Sequence, residues 1–379
     1  MKNIENNSSV YKYFDLNNYQ ILDDLFSHLS QDLIRSFDFK KYLDLSANYN
    51  CHPNVSNQLL KNIVAIPPKT KWVFDGFNFK EQNNRKKIKP EDKSLQYLIN
   101  YTKKFISVFS DYKIGVEVSG GLDTSIIISA LRDVGYNPFL IGTKTNRFEF
   151  RTESQIQYLL VEKSEFHLIE IDQCLPFSNL KNVPRHCLPS SSSIFYNMAH
   201  SSSAVCKENN VGILLNGMGL DLLFANDIST SHSLLQTFKL DDNWFNEYVY
   251  RPIGIKYYSA AFSNQIRELI TELRFDKEED PQKLWARNFF SEILPKEITN
   301  YSYKADNSGL FIDGFINAYS DIQDIYHVVS SYYGIDYFSD SSLEIMLKNI
   351  NKADIQMDKS ILASVSYAVW LYGLIAFKV

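Results

Sequence analysis

Cysteine is scarce in this sequence, and the spacing of the few cysteines argues against two kinds of cross-linked protein. The 379 residues include only four, none in a C-x-x-C pair, and these are Cys51, Cys174, Cys187 and Cys206. A long chain with scattered cysteines indicates neither a disulfide framework nor a zinc site. We therefore expect buried free thiols in a reducing cytoplasm.

Long apolar runs and an excess of positive charge are missing too. Residues 1–6 contain no cationic stretch followed by an apolar run, so we expect no signal peptide and a cytoplasmic protein. The most apolar segment, 361–377, is interrupted by two serines and two tyrosines, which predicts a buried C-terminal helix and no membrane span. The formal net charge of -5 argues against nucleic acid as a partner, because phosphate binding needs a cationic surface.

The apolar pattern changes at a charged segment. Residues 83–92 read NNRKKIKPED, and a charged stretch that contains a proline predicts an exposed linker. We therefore place a small N-terminal region at 1–90 and a larger domain at 91–379. With 45% hydrophobic residues, the chain can bury a large core.

Within the larger domain, short apolar runs alternate with segments of helical spacing. Strands are predicted at 114–118, 138–141, 166–171 and 211–215, and helices at 125–134, 152–160 and 194–207. This alternation predicts an α/β fold in which helices cover both faces of a parallel sheet, followed by a mostly helical C-terminal part after residue 224. Ligands of such sheets bind beyond the carboxyl ends of the strands.

The first predicted strand contains a residue that does not suit a buried sheet. Glu117 lies within a strand that should be covered on both faces, where a carboxylate needs a partner. Two interpretations stay open at this point. Either Glu117 pairs with a cation beneath the loop that follows, or the strand is less buried than its pattern indicates.

The sharpest motif lies between the first predicted strand and the first predicted helix. It consists of Ser119, Gly120, Gly121, Leu122, Asp123, Thr124 and Ser125. Two glycines allow a tight turn and let backbone N–H groups face an anion, and the next helix presents its positive end. A carboxylate at this place is consistent with a Mg²⁺ ion between Asp123 and the anion. The alternative interpretation is a glycine turn in which Asp123 caps the helix.

This loop resembles the SGGxDS loop of the PP-loop ATP pyrophosphatases, and among them that of the asparagine synthetase C-terminal domain. The resemblance covers roughly residues 110 to 310. It implies a PP-loop (HUP-like) fold with ATP and Mg²⁺ as cofactors. Enzymes of this kind cleave ATP between its α and β phosphates and leave AMP on a substrate carboxylate.

A second glycine motif, GMGLDLLF, follows the fourth predicted strand at 217–224. The family shows G-x-G-x-D-E-L-F here, and the resemblance implies that Gly217 and Gly219 approach the phosphates. It also implies that Asp221 is the second Mg²⁺ carboxylate beside Asp123. The sequence departs from the family pattern at Leu222, where the family usually has glutamate.

Further candidates depend on their order in the chain. Lys304 follows an L-P turn at 294–295, as a family lysine does, and the resemblance implies that it stabilises negative charge on the α-phosphate and the acyl group. Glu247 and Tyr248 lie near the place where lactam-forming relatives carry a tyrosine–glutamate pair that deprotonates the amine, and Tyr250 is a third candidate for this base.

Two weaker matches complete the resemblance. Glu153 corresponds to an acidic residue that opens the helix after the second strand of the family, although a first-turn charge also suits the helix dipole. The serines at 190–193 occupy the place of a loop before the fourth strand of the family. They either shape a substrate pocket or cap a helix, and the cap is the simpler interpretation.

We expect this chain to lack the glutaminase domain of the asparagine synthetases. Their glutaminase has a cysteine directly after the initiator methionine, whereas position 2 is Lys2 here and residues 1–90 are too few for that domain. The chain is thus similar to β-lactam synthetases and lasso-peptide cyclases, which close an amide within one molecule. The amine comes from the substrate itself, from free ammonia or from a partner protein.

These observations predict a ligase that forms an amide bond through an acyl-adenylate, without glutamine hydrolysis. Its substrates would be a small-molecule or peptide carboxylate and an amine, and its products would include AMP and pyrophosphate. Two alternatives stay open: a non-catalytic ATP-binding partner subunit, and a PP-loop enzyme that modifies tRNA.

Overall fold

The computed structural model of the protein describes residues 2–6, 12–15, 20–22, 34, 37–38, 63–66, 70–74, 79–81, 94–186, 189–225, 242–273, 280, 282–301, 307–334, 344 and 359–376. The chain divides into two compact units. The first combines Met1–Lys86, Pro176–Tyr196 and Leu310–Val379, and the second combines Lys87–Leu175 and Asn197–Gly309. The first boundary lies near the predicted division at residue 90, whereas residues 176–196 and 310–379 group with the N-terminal region.

The strands form one sheet in the second unit and two small sheets in the first. Within the described residues they are β1 (Lys2–Asn6), β2 (Lys12–Asp15), β3 (Gln20–Leu22), β4 (Ile63–Ile66), β5 (Thr70–Phe74), β6 (Phe79–Glu81), β7 (Lys113–Val118), β8 (Phe139–Lys144), β9 (Phe166–Glu170), β10 (Val211–Asn216) and β11 (Lys256–Ser259). In the first unit, β1, β5 and β6 form an antiparallel sheet in that order, and β3, β2 and β4 form another.

The α-helices account for most of the remaining regular structure. Those described are α1 (Leu95–Val108), α2 (Leu122–Asp133), α3 (Arg151–Val161), α4 (Tyr196–Glu208), α5 (Leu220–Ala225), α6 (Asn264–Leu273), α7 (Leu284–Phe289), α8 (Lys296–Thr299), α9 (Ser308–Asn317), α10 (Tyr319–Tyr333) and α11 (Lys359–Ala376). A π-helical turn, Asn246–Tyr250, precedes β11.

The sheet of the second unit has the strand order β11-β10-β7-β8-β9, and all neighbouring strands run parallel. Residues 213–216 of β10 are buried in succession, so both faces of this strand are covered. Ile114, Val116 and Val118 face a core shared with α1, α2 and α3, while Cys206 of α4 lies on the Glu117 side of β7. The predicted α/β fold with a parallel sheet and helices on both faces is confirmed.

The strand order creates a crevice at the carboxyl ends of β7 and β10. From β7 the chain continues through α2 to β8 on one side, whereas from β10 it continues to β11 on the other side. The loops that leave these two adjacent strands therefore diverge, and ligands of open parallel sheets bind at such a switch point. The two glycine motifs of the sequence follow these two strands directly.

The last helix of the chain is buried in the first unit, as its apolar sequence predicts. Tyr367 of α11 stacks on Phe37 with 4.7 Å between ring centroids, and the indole N–H of Trp370 donates to the His186 carbonyl at 3.1 Å. Ser364 Oγ lies 2.9 Å from the Tyr326 hydroxyl of α10. Among the helices in the described ranges, none combines the length and the apolar character needed to cross a membrane.

Candidate functional site

The glycine loop after β7 is pressed against the start of helix α3. Gly120 has a φ of +79°, and a Cβ atom built on it would lie 2.0 Å from the carbonyl oxygen of Glu153. No side chain fits there, so glycine is required both by the conformation and by the close approach. Gly121 then has an extended backbone and caps α2, whose first N–H groups lie at the loop.

Hydroxyl groups brace this loop from within. Ser119 Oγ accepts the Gly121 N–H at 3.2 Å and lies 3.2 Å from Thr124 Oγ1. Ser125 Oγ donates to the Gly121 carbonyl at 2.6 Å. These bonds tie both ends of the motif to its middle, so the loop has a defined shape in the absence of a ligand.

The second glycine motif packs directly against the first. A Cβ atom on Gly217 would lie 3.1 Å from Asp123 Cβ and 3.1 Å from Thr124 Cγ2, so its hydrogen lets β10 end at the first turn of α2. Asp221 lies in the first turn of α5, where its Oδ1 accepts the Leu222 N–H at 3.0 Å. The structure therefore brings together the two motifs that the sequence separates by about a hundred residues.

Side chains hold the loop after β10 in place. Asn216, the last residue of β10, accepts the Met218 N–H at 2.9 Å and donates through Nδ2 to Asp242 Oδ1 at 3.1 Å. Ser259, the last residue of β11, donates its hydroxyl hydrogen to the Met218 carbonyl. The ends of β10 and β11 are thus linked through polar side chains at the edge of the crevice.

Lys283 is the main addition to the site that the sequence did not predict. Its Nζ lies 2.9 Å from Asp123 Oδ1 and 3.1 Å from Oδ2, and the two side chains are only 12% and 21% exposed. Burial lowers the pKa of the Arg287 guanidinium, and the negative charge of Asp123 opposes that shift. A partly buried lysine ammonium group therefore lies directly at the predicted phosphate loop.

A short turn explains how Lys283 reaches the loop. The Lys283 N–H donates to the Asp280 carbonyl at 2.9 Å, and Asp280 Oδ2 accepts the Trp285 N–H at 3.0 Å, which caps α7. Lys283 itself has a φ of +55° at the junction. The indole N–H of Trp285 donates to the Phe224 carbonyl at 2.8 Å, which anchors α7 to the end of the second glycine motif.

The other predicted catalytic residues have different surroundings. Lys304 lies outside the described residues. Glu247 forms an ion pair of 2.6 Å with Arg251, one helical turn further along its own segment. The ring of Tyr248 packs against Trp244 with 5.5 Å between centroids. The roles of all three residues stay predictions.

The structure also describes Glu153 and the serines at 190–193, the two weaker matches to the family. Glu153 lies in the first turn of α3, and its main-chain carbonyl is the group that Gly120 packs against. In the first unit, Ser190 Oγ accepts the Ser192 N–H at 3.2 Å at the start of the 3₁₀ helix Ser191–Phe195. The serine cluster thus supplies a helix cap, as its simpler interpretation predicts.

Gln157 bridges the ends of β7 and β8, a contact that the sequence gave no reason to expect. Its Nε2 donates to the Val118 carbonyl at 2.8 Å and to the Thr143 carbonyl at 2.9 Å. A Cβ on Gly142 would lie 2.6 Å from this nitrogen, so the glycine makes room for the amide. The amide therefore satisfies two main-chain carbonyl groups where β7 ends and the glycine loop begins.

Glu117 meets two tyrosines instead of a cation. The Tyr250 hydroxyl donates to Oε1 at 3.4 Å and the Tyr257 hydroxyl donates to Oε2 at 3.3 Å, and the two rings stack with centroids 4.3 Å apart. Within the described part of the chain, no basic side chain forms an ion pair with this carboxylate. Within the described residues, the prediction that Glu117 pairs with a cation is therefore wrong.

Burial changes the acidity of this group of side chains. Burial raises the pKa of Glu117 from 4.5 to about 7, while the hydrogen bonds from Tyr257 and Tyr250 act in the opposite direction. Burial and the charge of Glu117 also raise the pKa of Tyr250, Tyr257 and the Cys206 thiol. Cys206 and Cys174 are buried free thiols, as expected.

Replacing Glu117 by glutamine is expected to stabilise the protein above neutral pH. The folded protein holds a proton on Glu117 up to about pH 7, whereas the unfolded chain releases it near 4.5. That stabilisation is therefore present at low pH and is lost as the pH rises through 7, by about 3 kcal/mol for a single group. The free energies of unfolding of the native protein and Glu117→Gln, measured by urea titration between pH 4 and 9, should diverge over this interval. Parallel curves would contradict the burial of this carboxylate.

Comparison with known proteins adds little to this picture. No protein-family model and no curated protein matches the sequence. Among solved structures, the NMN synthetase from Francisella tularensis is 13% identical with a TM-score of 0.25, over 50% of this chain and 97% of that chain. The NAD⁺ synthetase from Burkholderia pseudomallei is 11% identical with a TM-score of 0.24, over 52% of this chain and 86% of that chain. Similarities with such TM-scores carry no argument about activity.

Proposed function

We propose that this chain is an ATP-dependent ligase that forms a C–N bond through an acyl-adenylate and releases AMP and pyrophosphate. The observation that carries this proposal is the partly buried Asp123–Lys283 pair at the start of α2. The pair lies where a braced glycine loop, a helix N-terminus and a second glycine motif meet at the switch point of a parallel sheet. Each of these features favours the binding of phosphate groups.

The proposed reaction has two steps. A substrate carboxylate oxygen attacks the α-phosphorus of ATP, the bond to the bridging oxygen of the β-phosphate breaks, and pyrophosphate leaves. The amine nitrogen then attacks the acyl carbon, the C–N bond forms, and AMP leaves with the electron pair of the broken C–O bond. The loop N–H groups would hold the pyrophosphate, and the Lys283 ammonium would stabilise the charge that develops on it.

Asp123 and Asp221 are the residues that we propose to hold Mg²⁺. Carboxylate oxygens are the protein ligands that Mg²⁺ prefers, and a nucleotide-bound ion needs only one or two of them because phosphates and water supply the rest. In the ranges that the structure describes, no group of three or more His, Cys, Asp or Glu side chains is arranged to hold a metal. When bound, Mg²⁺ would neutralise charge on the leaving pyrophosphate.

The finer features of the reaction extend this proposal. Lys304 would stabilise the α-phosphate, and Glu247 or Tyr248 would accept the proton of the amine, for which Glu247 must first lose its ion pair with Arg251. The amine would come from the substrate itself in a lactam or macrolactam closure, from free ammonia or from a partner protein. The resemblance to β-lactam synthetases and lasso-peptide cyclases favours the first source.

A second function is favoured by one position. Leu222 stands where the family usually has glutamate, and its side chain is buried in the apolar core at 8% exposure. The apolar side chain of Leu222, which packs in the core, therefore stands where the family has a polar group beside Asp221. This difference would suit a subunit that binds ATP without cleaving it and acts together with a partner protein.

The two functions can be separated with ATP that is labelled at the α-phosphate. The protein is incubated with labelled ATP, Mg²⁺ and fractions of a small-molecule and peptide extract from the source cells. We expect labelled AMP from the native protein and from Asp133→Asn, and none from Asp123→Asn. Asp133 lies at the end of the same helix and is exposed, so it controls for the charge change.

Three other results of this assay would contradict the proposed ligase or favour the non-catalytic subunit. Equal AMP formation by Asp123→Asn would contradict the role of Asp123, and labelled ADP in place of AMP would contradict cleavage between the α and β phosphates. Tight ATP binding without AMP in any fraction would favour the non-catalytic subunit.

A further inference from the structure

Arg287 is a second cationic residue at the start of α7, one helical turn beyond Lys283. Its main-chain N–H donates to the Lys283 carbonyl at 3.0 Å, so the two residues are neighbours on the first turn of the helix. Arg287 is only 7% exposed. A cation in this position needs a reason, because burying a charge is costly unless an anion pairs with it.

Two hydrogen bonds to the main chain fix the orientation of the Arg287 guanidinium. Nε donates to the Gln282 carbonyl at 3.1 Å, and Nη1 donates to the Ile298 carbonyl of α8. Carbonyl oxygens carry only partial negative charge, so these bonds do not neutralise the full charge of the guanidinium. A guanidinium has five N–H donors, and the two bonds leave three of them available.

The remaining donors of Arg287 are accessible from solvent. Within the described residues, Arg287 forms no ion pair and no side-chain hydrogen bond besides these two. Its Nη2 is not among the enclosed nitrogen and oxygen atoms that lack a partner, so this end of the guanidinium reaches solvent. Burial lowers the pKa of Arg287, which agrees with a charge that the protein compensates only in part. The group is therefore suited to pair with an anion that arrives from solvent.

The guanidinium lies near the glycine loop. The negative charge of Asp123 acts on Arg287, and the same carboxylate contacts Lys283 at 2.9 Å. The first N–H groups of α2 lie at this place as well, because Gly121 caps that helix. Ser119 at the start of the loop is exposed, and the Asp123 side chain is 21% exposed, so a solute can enter from solvent. An anion bound at the loop would thus meet two cations of the α7 segment.

We propose that Arg287 binds the pyrophosphate leaving group together with Lys283 and the N–H groups of the glycine loop. This inference rests on the proposed function, in which pyrophosphate leaves from this loop. Lys283 supplies a flexible point charge, whereas the Arg287 guanidinium has a fixed orientation and enough donors for two contacts with one phosphate group. Two neighbouring cations suit the higher charge of pyrophosphate better than that of orthophosphate. The site should therefore bind pyrophosphate more tightly than orthophosphate.

A purely structural role for Arg287 is the alternative, because its bond to the Ile298 carbonyl ties α7 to α8. Two substitutions separate the roles. Arg287→Gln and Arg287→Lys both lose the guanidinium that bridges the Gln282 and Ile298 carbonyls, so both should destabilise the protein. Only Arg287→Lys keeps a positive charge. A structural role predicts equal pyrophosphate affinity in the two variants, whereas anion binding predicts higher affinity in Arg287→Lys.

The affinity is measured by isothermal titration calorimetry of the full chain with sodium pyrophosphate or sodium orthophosphate, in the presence of Mg²⁺ and without ATP. The native protein should bind pyrophosphate more tightly than orthophosphate. Arg287→Gln should lower the affinity for pyrophosphate roughly tenfold to 100-fold, as expected for loss of a charged hydrogen-bond partner, and Arg287→Lys should lower it less. Urea unfolding of both variants without ligand establishes that they are folded.

The matched control is Arg132→Gln. Arg132 is a partly buried arginine in the last turn of α2, and it also donates to a main-chain carbonyl, that of Leu160. About 15 Å of helix separates it from Leu122 at the glycine loop. Its substitution should destabilise the protein and leave the affinity for pyrophosphate at the native level.

Three results would overturn the proposal: native affinity for pyrophosphate in Arg287→Gln, equal losses in Arg287→Gln and Arg287→Lys, or no preference of the native protein for pyrophosphate over orthophosphate. The ligase activity is tested separately, because this titration contains no ATP. Labelled AMP from the native protein, with unchanged pyrophosphate affinity in Arg287→Gln, would contradict the role of Arg287 alone. Pyrophosphate binding that depends on Arg287, without AMP from any fraction, would support the anion site and count against the ligase.

A measurement on the native protein covers the case in which the Arg287 variants do not fold. The full chain is treated with butanedione, which modifies arginine side chains, and the modified peptides are quantified by mass spectrometry with and without sodium pyrophosphate. At a ligand concentration of about ten times the dissociation constant, pyrophosphate should slow the modification of Arg287 roughly tenfold and leave that of Arg132 unchanged. Equal modification rates of Arg287 with and without pyrophosphate would overturn the proposal.

Discussion

Replacing Lys283 by methionine is expected to reduce ATP-dependent AMP formation roughly 100-fold to 1,000-fold, the usual effect of removing one preorganised donor from developing charge. Lys283 is in direct contact with Asp123, with both Asp123 oxygens within 3.1 Å of its Nζ. Methionine keeps most of the length and volume of the side chain and removes only the ammonium group. ATP brings several negative charges to this loop, so the loss should appear in nucleotide affinity as well as in turnover.

The stability of the Lys283→Met protein should change much less than its activity. The Asp123–Lys283 pair is partly shielded from solvent, and its loss leaves the Asp123 carboxylate with less compensation. The matched control is Lys296→Met, because Lys296 is an exposed lysine of α8 in the same unit. The control should retain native AMP formation and ATP affinity. If Lys283→Met retained both as well, the ammonium group would have no part in phosphate binding.

Much of the parallel sheet could be predicted from the sequence because its strands are short and apolar and end at glycine-containing loops. The four predicted strands correspond to β7, β8, β9 and β10, with ends that differ by a few residues. The fifth strand, β11, was not predicted, and the segment after residue 224 was expected to be helical. Its residues alternate between buried and exposed positions at an edge of the sheet, and a four-residue segment of this kind carries too weak a pattern.

The candidate site was predictable only where its residues are neighbours in sequence. The SGGLDTS loop is a local motif, and local strand and helix signals place it at a sheet edge. Lys283 gave no such signal, because it ends a mixed-charge run, DKEEDPQK, that is typical of a solvated surface. It reaches Asp123 across 160 residues because the Asp280 turn and the Trp285 anchor set the direction of α7.

Glu117 illustrates a different limit of sequence reasoning. Its position in a buried strand marked it as unusual, but its partners lie 133 and 140 residues further along the chain. Nothing in the local pattern of 246–258 distinguishes Tyr250, which meets a carboxylate, from Tyr248, which packs against Trp244. The difference follows from the π-helical turn at Asn246–Tyr250 and from β11, and both are set by tertiary pairing.

Replacing Gly120 by alanine is expected to abolish nucleotide binding and to destabilise the protein by about 2–5 kcal/mol, combining a left-handed backbone with an overpacked contact. The new Cβ would lie 2.0 Å from the Glu153 carbonyl oxygen and 2.7 Å from its carbon. Both atoms belong to the main chain at the start of α3, so they cannot move aside as a flexible side chain would. The loop must therefore shift away from α3, which displaces Gly121 and the first turn of α2.

Gly135→Ala separates the two causes of this effect. Gly135 has a φ of +82°, close to the +79° of Gly120, but a Cβ atom on it meets nothing within 4 Å. Its substitution should therefore cost only the left-handed backbone term of about 1–2 kcal/mol, and ATP affinity should stay at the native level. Urea unfolding and equilibrium ATP titration of both variants test this directly. Equal destabilisation by the two substitutions, with ATP affinity retained in Gly120→Ala, would mean that the loop does not depend on its contact with α3.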